Sequence, residues 1–542
     1  MTTEIELKYL LFTEPNDTNI SAINQSINTV LTANNLAFEF SEKQLTNSYY
    51  DTDALTLRQL DFGLRVRGKK LGGQDFCYEQ TIKTSGKVVA GLHQRPEYNV
   101  DLSNANVDLA LFPEHIWPQG TDVATIAKNL SSIFTTNFTR YNYVIELAAG
   151  KVELAFDCGD ISCLNYEKTK QIFEIEFELL SGETSALFEL ARLMMSNIAM
   201  RPGQDSKAKR GYALAAEFAG ATKVKKQANV EDLGTLAPQY LALDIIPMVN
   251  VDDIGQAFVC GINFGLKQLQ ANVARYVDKP SLTTLSKISE NFALLRQGFW
   301  LFEQVLPADC EKIRDELSYY LRVIHWVDNA QHLKELMTKT GSYRKKLSHC
   351  QALIDKLKLE KQRYPDEKKM LALFHDEGFN LLQLSLLELL VGEQALISRI
   401  NLNAQPLLDF TQIKLTQSLQ QLTDEVRSLA VNEQQSERYL GLYPLLIRSL
   451  LTGSWFASLY NYQVGDAQLS EQQLLYRRPW LDVKQGISEL QTLDLLQQQL
   501  AILPVQQNKL ELWLSNKVDN LLQALQQSVD NALSIQPYWH HV

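Results

Sequence analysis

The chain has 542 residues, of which 45% are hydrophobic and 21% are charged, a composition typical of a soluble globular protein. This length exceeds a single ordinary core and predicts two to four domains. The net charge of -11 argues against a general nucleic-acid-binding protein, because such proteins bind through a basic surface. The N-terminus has no secretory pattern and no segment is long and apolar enough to span a membrane, so we expect a cytoplasmic protein without membrane partners. The six cysteines form no C-x-x-C pair, which predicts reduced thiols and no zinc site.

The first part of the chain, residues 1–218, is predicted to be a β-domain because its apolar residues alternate with a period of two. The predicted strands are Glu4–Phe12, Phe62–Lys70, Phe76–Lys83, Gly91–Asn99, Asn137–Leu147, Lys151–Cys158 and Gln171–Leu180. Segments 16–34 and 183–200 have a helical pattern instead. The sequence therefore predicts a many-stranded antiparallel sheet with a few accessory helices.

The second part of the chain, residues 236–542, has a helical spacing of apolar residues throughout. A small, polar and charged segment at residues 219–235 is predicted as the linker before it. Leu- and Gln-rich stretches run to the end of the chain with only scattered Pro and Gly. The predicted fold class is therefore α+β multidomain, with a C-terminal all-α bundle of helical hairpins.

Charged side chains recur on one face of several predicted strands, with acidic and basic residues mostly on different strands. The acidic residues are Glu4, Glu6, Glu153, Asp157, Glu174, Glu176 and Glu178, and the basic ones are Lys8, Arg65, Arg67, Lys69, Lys83, Arg95 and Arg140. Adjacent like charges repel, so a strand with three glutamates on one face requires cations. Carboxylate oxygens suit Mg²⁺ or Mn²⁺, and arginine and lysine suit phosphate oxygens. The pattern predicts a site for a polyanionic phosphate and a divalent metal ion.

The order of these motifs resembles the CYTH superfamily, the triphosphate tunnel metalloenzymes. The motifs are E-x-E-x-K, R-x-R, a lysine that ends the next strand, a lone arginine, an aspartate and a late E-x-E. The segments GLHQRPEYNV and SKAKRGYALA resemble the bacterial inorganic triphosphatase branch, and the resemblance covers residues 1–218. It implies an eight-stranded antiparallel β-barrel whose tunnel binds triphosphate end to end.

The resemblance also implies roles for individual residues. Its metal ligands match Glu4, Glu6, Asp157, Glu174 and Glu176, and its substrate-binding residues match Lys8, Arg65, Arg67, Lys83, Arg95, Arg140 and Lys207. Lys207 is expected on a late helix that closes the tunnel. Glu4, Glu6, Lys8 and Glu176 are the candidate catalytic residues, with the general base left open between Glu4 and Glu176.

The reaction implied by the resemblance is Mg²⁺-dependent hydrolysis of inorganic triphosphate to pyrophosphate and phosphate, with Mn²⁺ as the alternative ion. Water is the expected nucleophile, because the metal and the basic residues neutralise the charge that repels it. Thiamine triphosphatase and class IV adenylate cyclase activities are alternatives on the same barrel. A further alternative is a polyphosphate-binding or scaffolding protein.

The helical part resembles the CHAD arrangement, which implies binding of polyphosphate or similar polyanions. Arg314, His325 and His332 are predicted to share one helical stripe, with Arg322 beside them. Basic residues at 344–346, together with His349, extend a predicted basic groove. The dense histidine and arginine pattern of the family is not found in this segment.

Overall fold

The computed structural model describes residues 2–70, 77–89, 92–224, 243–338, 343–348, 350–399, 405–428, 435–460, 470–504 and 507–540. The chain divides into two compact units. The first comprises Met1–Leu233 with Ala372–Glu388, and the second comprises Gly234–Leu371 with Leu389–Val542. His349 and most of the predicted linker lie outside the described residues.

The strands of the first unit form one antiparallel sheet. They are β1 (Thr2–Leu11), β2 (Phe38–Asp51), β3 (Gly63–Lys70), β4 (Cys77–Lys83), β5 (Lys87–Val89), β6 (Leu92–Leu102), β7 (Ser131–Leu147), β8 (Gly150–Ser162), β9 (Lys170–Gly182) and β10 (Met200–Pro202). The order β1-β9-β8-β7-β2-β3-β4-β6 closes on itself because β6 also pairs with β1. The short strands β5 and β10 extend from β6 and β1. The predicted eight-stranded antiparallel barrel is confirmed.

Strand β2 is a barrel strand that the sequence pattern does not predict. Its buried row consists of Leu45, Asn47, Tyr49 and Asp51, which alternate apolar and polar side chains on the same face. A strand whose inner face is half polar shows no simple alternation of hydrophobicity. A period of two in hydrophobicity therefore does not identify β2.

The helices within residues 1–224 cover the barrel. They are α1 (Asp17–Ala33), α2 (Thr56–Gln59), α3 (Val123–Lys128), α4 (Ser185–Met195) and α5 (Lys207–Val224). On α5, Tyr212 packs against Tyr49 and Phe134, which belong to the inward-facing rows of β2 and β7. Gly211 allows this approach, because a Cβ there would lie 2.1 Å from the Phe134 ring. Helix α5 therefore covers one end of the barrel, and it continues past the predicted domain boundary at residue 218.

The rest of the described chain is helical. The helices are α6 (Ile254–Asp278), α7 (Leu282–Leu301), α8 (Cys310–Val323), α9 (Trp326–Met337), α10 (Arg344–Leu347), α11 (Gln351–Lys361), α12 (Glu367–Phe374), α13 (Glu377–Val391), α14 (Glu393–Arg399), α15 (Leu407–Ser428), α16 (Gln435–Phe456), α17 (Glu471–Ala501) and α18 (Asn508–Ser534). Trp455 of α16 packs against Gly261 of α6 and Gly298 of α7, where a Cβ would lie 1.9 and 2.1 Å from its ring. The expected all-α C-terminal region is confirmed. Over the ranges that the structure describes, no helix is both long and apolar enough to cross a membrane.

The predicted stripe of Arg314, His325 and His332 on one helix is wrong. Arg314 lies on α8 and His332 on α9, and His325 lies in the break between them. His325 Nδ1 is 2.6 Å from the carbonyl oxygen of Arg322, a contact typical of a helix C-terminus, where the last carbonyls have no partner in the helix. His332 is buried instead, with its Nδ1 2.8 Å from Thr492 Oγ1.

Candidate active site

The barrel ladder brings the predicted charged rows to one interior surface. Lys8 of β1 lies opposite Glu176 of β9, Glu174 of β9 lies opposite Asp157 of β8, and Asp157 lies opposite Arg140 of β7. Opposite residues in an antiparallel pair project to the same face. The acidic strands β1, β9 and β8 are therefore neighbours, as are the basic strands β3 and β4.

The first ionic cluster, which we call the inner cluster, is centred on Asp157, Glu174 and Glu176. Carboxylate oxygens of these three residues lie within 4.8 Å of one another, the geometry of a metal-binding group. The Lys207 ammonium lies 2.7 Å from Asp157 Oδ2, 2.6 Å from Glu174 Oε1 and 2.8 Å from Glu176 Oε1. Lys8 Nζ lies 2.8 and 2.9 Å from Glu174 and Glu176. Two lysines thus contact the carboxylates that the resemblance assigns to metal.

Two arginines complete the inner cluster. Arg140 donates through Nε at 2.8 Å and Nη2 at 2.7 Å to the two oxygens of Asp157, and Nη2 also lies 2.9 Å from Glu176. Arg210 of α5 forms an ion pair with Glu174. Burial alone would raise the pKa of Glu174, but Lys207, Lys8 and Arg210 outweigh it and lower this pKa to about 2. Glu174 is therefore ionised at neutral pH.

The second ionic cluster, which we call the outer cluster, joins β1, β3, β4 and β6. Lys83 forms an ion pair with Glu4, and its Nζ lies 3.5 Å from Glu97 Oε2. Arg65 Nη2 lies 3.2 Å from Glu97 Oε1. Burial lowers the pKa of Lys83, but Glu4 and Glu97 outweigh this effect, so the net shift is upward. This ammonium group is therefore charged at neutral pH.

Arg67 and Glu6 are interior titratable groups that form no ion pair with either cluster. Arg67 Nε donates a 2.8 Å hydrogen bond to Asn47 Oδ1, and this guanidinium forms no ion pair with any described residue. Burial, followed by the charges of Arg65 and Arg140, lowers its pKa to about 10. Glu6 makes no hydrogen bond or ion pair within the described ranges, and burial together with Glu176 and Glu4 raises its pKa to about 8. One cation and one carboxylate are thus left for partners from outside the chain.

Glu178 adds a second uncompensated carboxylate beside Glu6. The two residues are opposite each other on β1 and β9, and Glu153 of β8 lies opposite Glu178 on the other side. Burial and the charges of Glu4 and Glu153 raise the pKa of Glu178 to about 7. Like charges placed directly opposite destabilise a sheet, and a divalent cation with oxygen ligands would remove the repulsion. The carboxyl oxygens on these strands are the type of ligand that a hard divalent cation takes.

Arg95 is a third predicted site residue that joins neither cluster. It lies opposite Glu4 in the β1–β6 ladder, but its Nη2 is 3.6 Å from Oδ1 of the exposed Asp61. Two further residues of the interior are absent from the prediction. Arg210 follows Lys207 by three residues, so its position on the same helical face was a usable signal. Asn47 lies on β2, the strand that the pattern did not predict.

The sequence of the first unit matches known proteins. Residues 2–212 match the model of the CYTH domain, so the chain carries a CYTH domain there and the predicted resemblance is confirmed. A segment of 175 residues is 39% identical to an inorganic triphosphatase of Haemophilus influenzae and covers 31% of this chain. The match covers 46% of that relative, so the chain spans about half the length of the relative it matches.

Solved structures are similar to each part of the fold. HpAC1 from Hippeastrum, a protein with a dominant triphosphatase activity, is 20% identical, with 40% of this chain and 96% of that chain covered and a TM-score of 0.28. The CHAD domain from the plant Ricinus communis is 15% identical, with 57% of this chain and 98% of that chain covered and a TM-score of 0.33.

Proposed function

We propose, from the CYTH domain at residues 2–212, that this protein hydrolyses inorganic triphosphate to pyrophosphate and phosphate inside the barrel, with Mg²⁺ as the natural ion and Mn²⁺ as a substitute. The observation that carries the proposal is the closed barrel with a basic row on β3 and β4 facing an acidic row on β1, β9 and β8. A linear polyanion bound with a divalent cation matches both rows at once. The similarity to an inorganic triphosphatase supports the same substrate.

The basic side chains would bind the phosphate oxygens. Arg67 is available without breaking an ion pair, whereas Arg65, Lys83, Lys8 and Arg140 pair with carboxylates in this structure. Arginine can bind two phosphate oxygens at once, which aligns the triphosphate chain. Substrate binding therefore exchanges partners, as the guanidinium and ammonium groups leave carboxylates for phosphate.

The carboxylates would hold the cation. Glu6 is the best supported of the proposed ligands because no described residue pairs with it. Glu4, Asp157, Glu174 and Glu176 complete the proposed set as their basic partners move to phosphate. When bound, a divalent cation would neutralise phosphate oxygens and make water more acidic.

The proton acceptor is better placed at Glu4 than at Glu176. Glu176 contacts Lys8, Arg140 and Lys207, which hold its pKa well below the usual value. A carboxylate with three cationic neighbours is a poor base. Among the residues that the structure describes, Glu4 forms an ion pair only with Lys83. Its remaining lone pairs can accept a proton from the attacking water.

The test is phosphate release by the full chain from triphosphate, thiamine triphosphate and ATP, each with Mg²⁺, Mn²⁺ or EDTA. We expect release from triphosphate that requires the cation, and a loss of about 100-fold or more in Glu6→Gln, the scale seen when a group that stabilises transition-state charge is removed. Glu183→Gln is the matched control, because Glu183 is exposed in the segment after β9. Equal rates for Glu6→Gln and wild type would refute the assignment. Faster turnover of thiamine triphosphate, or cyclic AMP formation from ATP, would favour the alternative activities.

We propose polyphosphate binding by the helical unit as a second function. Arg296 of α7, Arg322 of α8 and Arg448 of α16 are exposed and form no ion pair with the residues described. Burial and the nearby charges of Arg448, Arg314 and Arg322 lower the pKa of Arg296, so these groups are close enough to repel one another. Exchanging the three exposed arginines for glutamine should weaken binding of labelled polyphosphate at low salt by at least 10-fold. Unchanged binding would remove this function.

A further inference from the structure

The helical unit contains a cavity that plays no part in the proposed functions. It lies between α15, α16, α17 and the C-terminal residues Tyr538 and Trp539. The space between these walls that protein atoms do not fill is about 480 Å³, a volume that includes open solvent at its mouth. Leu415, Leu422 and Leu446 are among its apolar walls. An organic molecule with a few carbon atoms could be desolvated there.

Arg477 of α17 carries a buried charge on the wall of this cavity. Its exposed fraction is 8%, and Nη2 donates to Leu243 O at 3.1 Å and to Ser454 Oγ at 3.0 Å. Both acceptors are neutral, and Arg477 forms no ion pair with any residue that the structure describes. Burial lowers its pKa to about 10, although Tyr538 and Asp244 partly oppose the shift. A buried cation without a counter-charge is costly, so this position favours an anion.

Trp480 supplies a second donor on the same wall. It is 3% exposed, and its buried Nε1 makes no hydrogen bond of regular geometry, although the Tyr476 hydroxyl interacts with it. Residues three apart on a helix share a face, and Arg477 and Trp480 both line the cavity. The described lining contains no aspartate or glutamate. The cavity therefore combines apolar walls, hydrogen-bond donors and one positive charge.

We propose that this cavity binds a small organic monoanion, namely a carboxylate attached to a short apolar body. The carboxylate accepts hydrogen bonds from Arg477 and Trp480, and the apolar body packs against the leucine side chains. A guanidinium matches the two oxygens of a carboxylate in geometry and charge. A phosphate dianion is disfavoured, because one buried guanidinium neutralises only half of its charge. This inference is independent of the triphosphatase reaction.

The experiment is calorimetric titration of the full chain with hexanoate, with hexanol and hexylammonium as charge controls. We expect saturable binding of hexanoate, and affinity at least 10-fold weaker for both controls. Arg477→Met should weaken hexanoate binding at least 10-fold, whereas Arg478→Met should not, because Arg478 is the exposed neighbour on the same helix.

Gly453→Ala provides a second variant in case Arg477→Met does not fold. A Cβ at Gly453 would lie 3.5 Å from Arg477 Nη1, an ordinary contact that narrows the cavity beside the proposed anchor. We expect a several-fold weaker affinity for hexanoate with unchanged triphosphate turnover. Absence of saturable hexanoate binding, equal affinity for hexanol, or unchanged binding in both variants would overturn the proposal.

Discussion

Replacing Lys207 by methionine tests whether the inner cluster holds the barrel together in the absence of a metal ion. The Lys207 ammonium contacts three carboxylates at 2.6 to 2.8 Å, and its side chain is 9% exposed. Removing one partner from a buried ion pair costs about 3–5 kcal/mol, because the remaining charge stays buried. Lys8, Arg140 and Arg210 still pair with the three carboxylates. We therefore expect the lower end, about 3 kcal/mol, or roughly a 150-fold change in the unfolding equilibrium.

A divalent cation should reverse much of this loss. In Lys207→Met the three carboxylates keep their close spacing but lose the ammonium that bridges them. Mg²⁺ or Mn²⁺ should therefore stabilise the variant more than it stabilises the wild type. Comparing the gain in stability of the variant with that of the wild type shows whether a metal ion can replace the lysine in the inner cluster.

The assay is hydrogen exchange of β8 and β9 peptides over a urea series, with EDTA or with Mg²⁺, because it reports on the barrel separately from the helices. Lys209→Met is the matched control. Lys209 lies on the same helix and pairs with Asp205 at 2.6 Å, but both side chains are at least half exposed, so we expect a loss below about 0.5 kcal/mol. Equal losses in the two variants would refute the reasoning. If Mg²⁺ did not raise the stability of the Lys207→Met variant, only the metal-binding part of the reasoning would be refuted.

Two other substitutions test the fold around these sites. Gly211→Ala should destabilise the barrel by about 1–3 kcal/mol, since its Cβ would lie 2.1 Å from the Phe134 ring, whereas Gly220→Ala on the same helix meets no atom within 4 Å and should be neutral or stabilising. The same hydrogen-exchange assay measures the stability of both variants. Equal changes in stability would contradict the close contact between Gly211 and the Phe134 ring. Burial lowers the pKa of His332, so the stability this neutral imidazole provides is complete above pH 6.5, the ordinary value, and declines as the pH falls below it. The urea midpoint of the helical unit should drop between pH 7.5 and 5.5, and drop less in His332→Gln; parallel curves would contradict this.

The barrel could be predicted from the sequence to the extent that its strands alternate cleanly. Strands β1, β3 and β9 have charged residues on the inner face and apolar residues on the other face, so their sequences show a clear period of two. In β2 the buried row itself mixes Leu45 with Asn47 and Asp51, and the signal was lost. The helical stripe failed for a different reason. The contact of His325 with a backbone carbonyl ends a helix that apolar spacing alone would continue.

The site could be predicted as a set of residues but not as a set of partners. The motifs indicated which side chains face the interior. They could not show that Lys207 and Arg210 lie against the acidic strands, because that pairing depends on where α5 packs in three dimensions. They also could not distinguish Glu6 from Glu176, although one lacks a cationic partner and the other contacts three. Such differences come from long-range packing and not from local periodicity.

The position of α5 also bears on the direction in which a phosphate chain could move. Tyr212 packs on inward-facing Phe134 at one end of the barrel, so α5 covers this end. If the barrel is the reaction site and substrate enters only at the end that α5 leaves uncovered, a long phosphate polymer would reach the site only by its terminus. Cleavage would then proceed from chain ends, and each product would have to leave before the next substrate enters. Product and substrate would compete for the same opening.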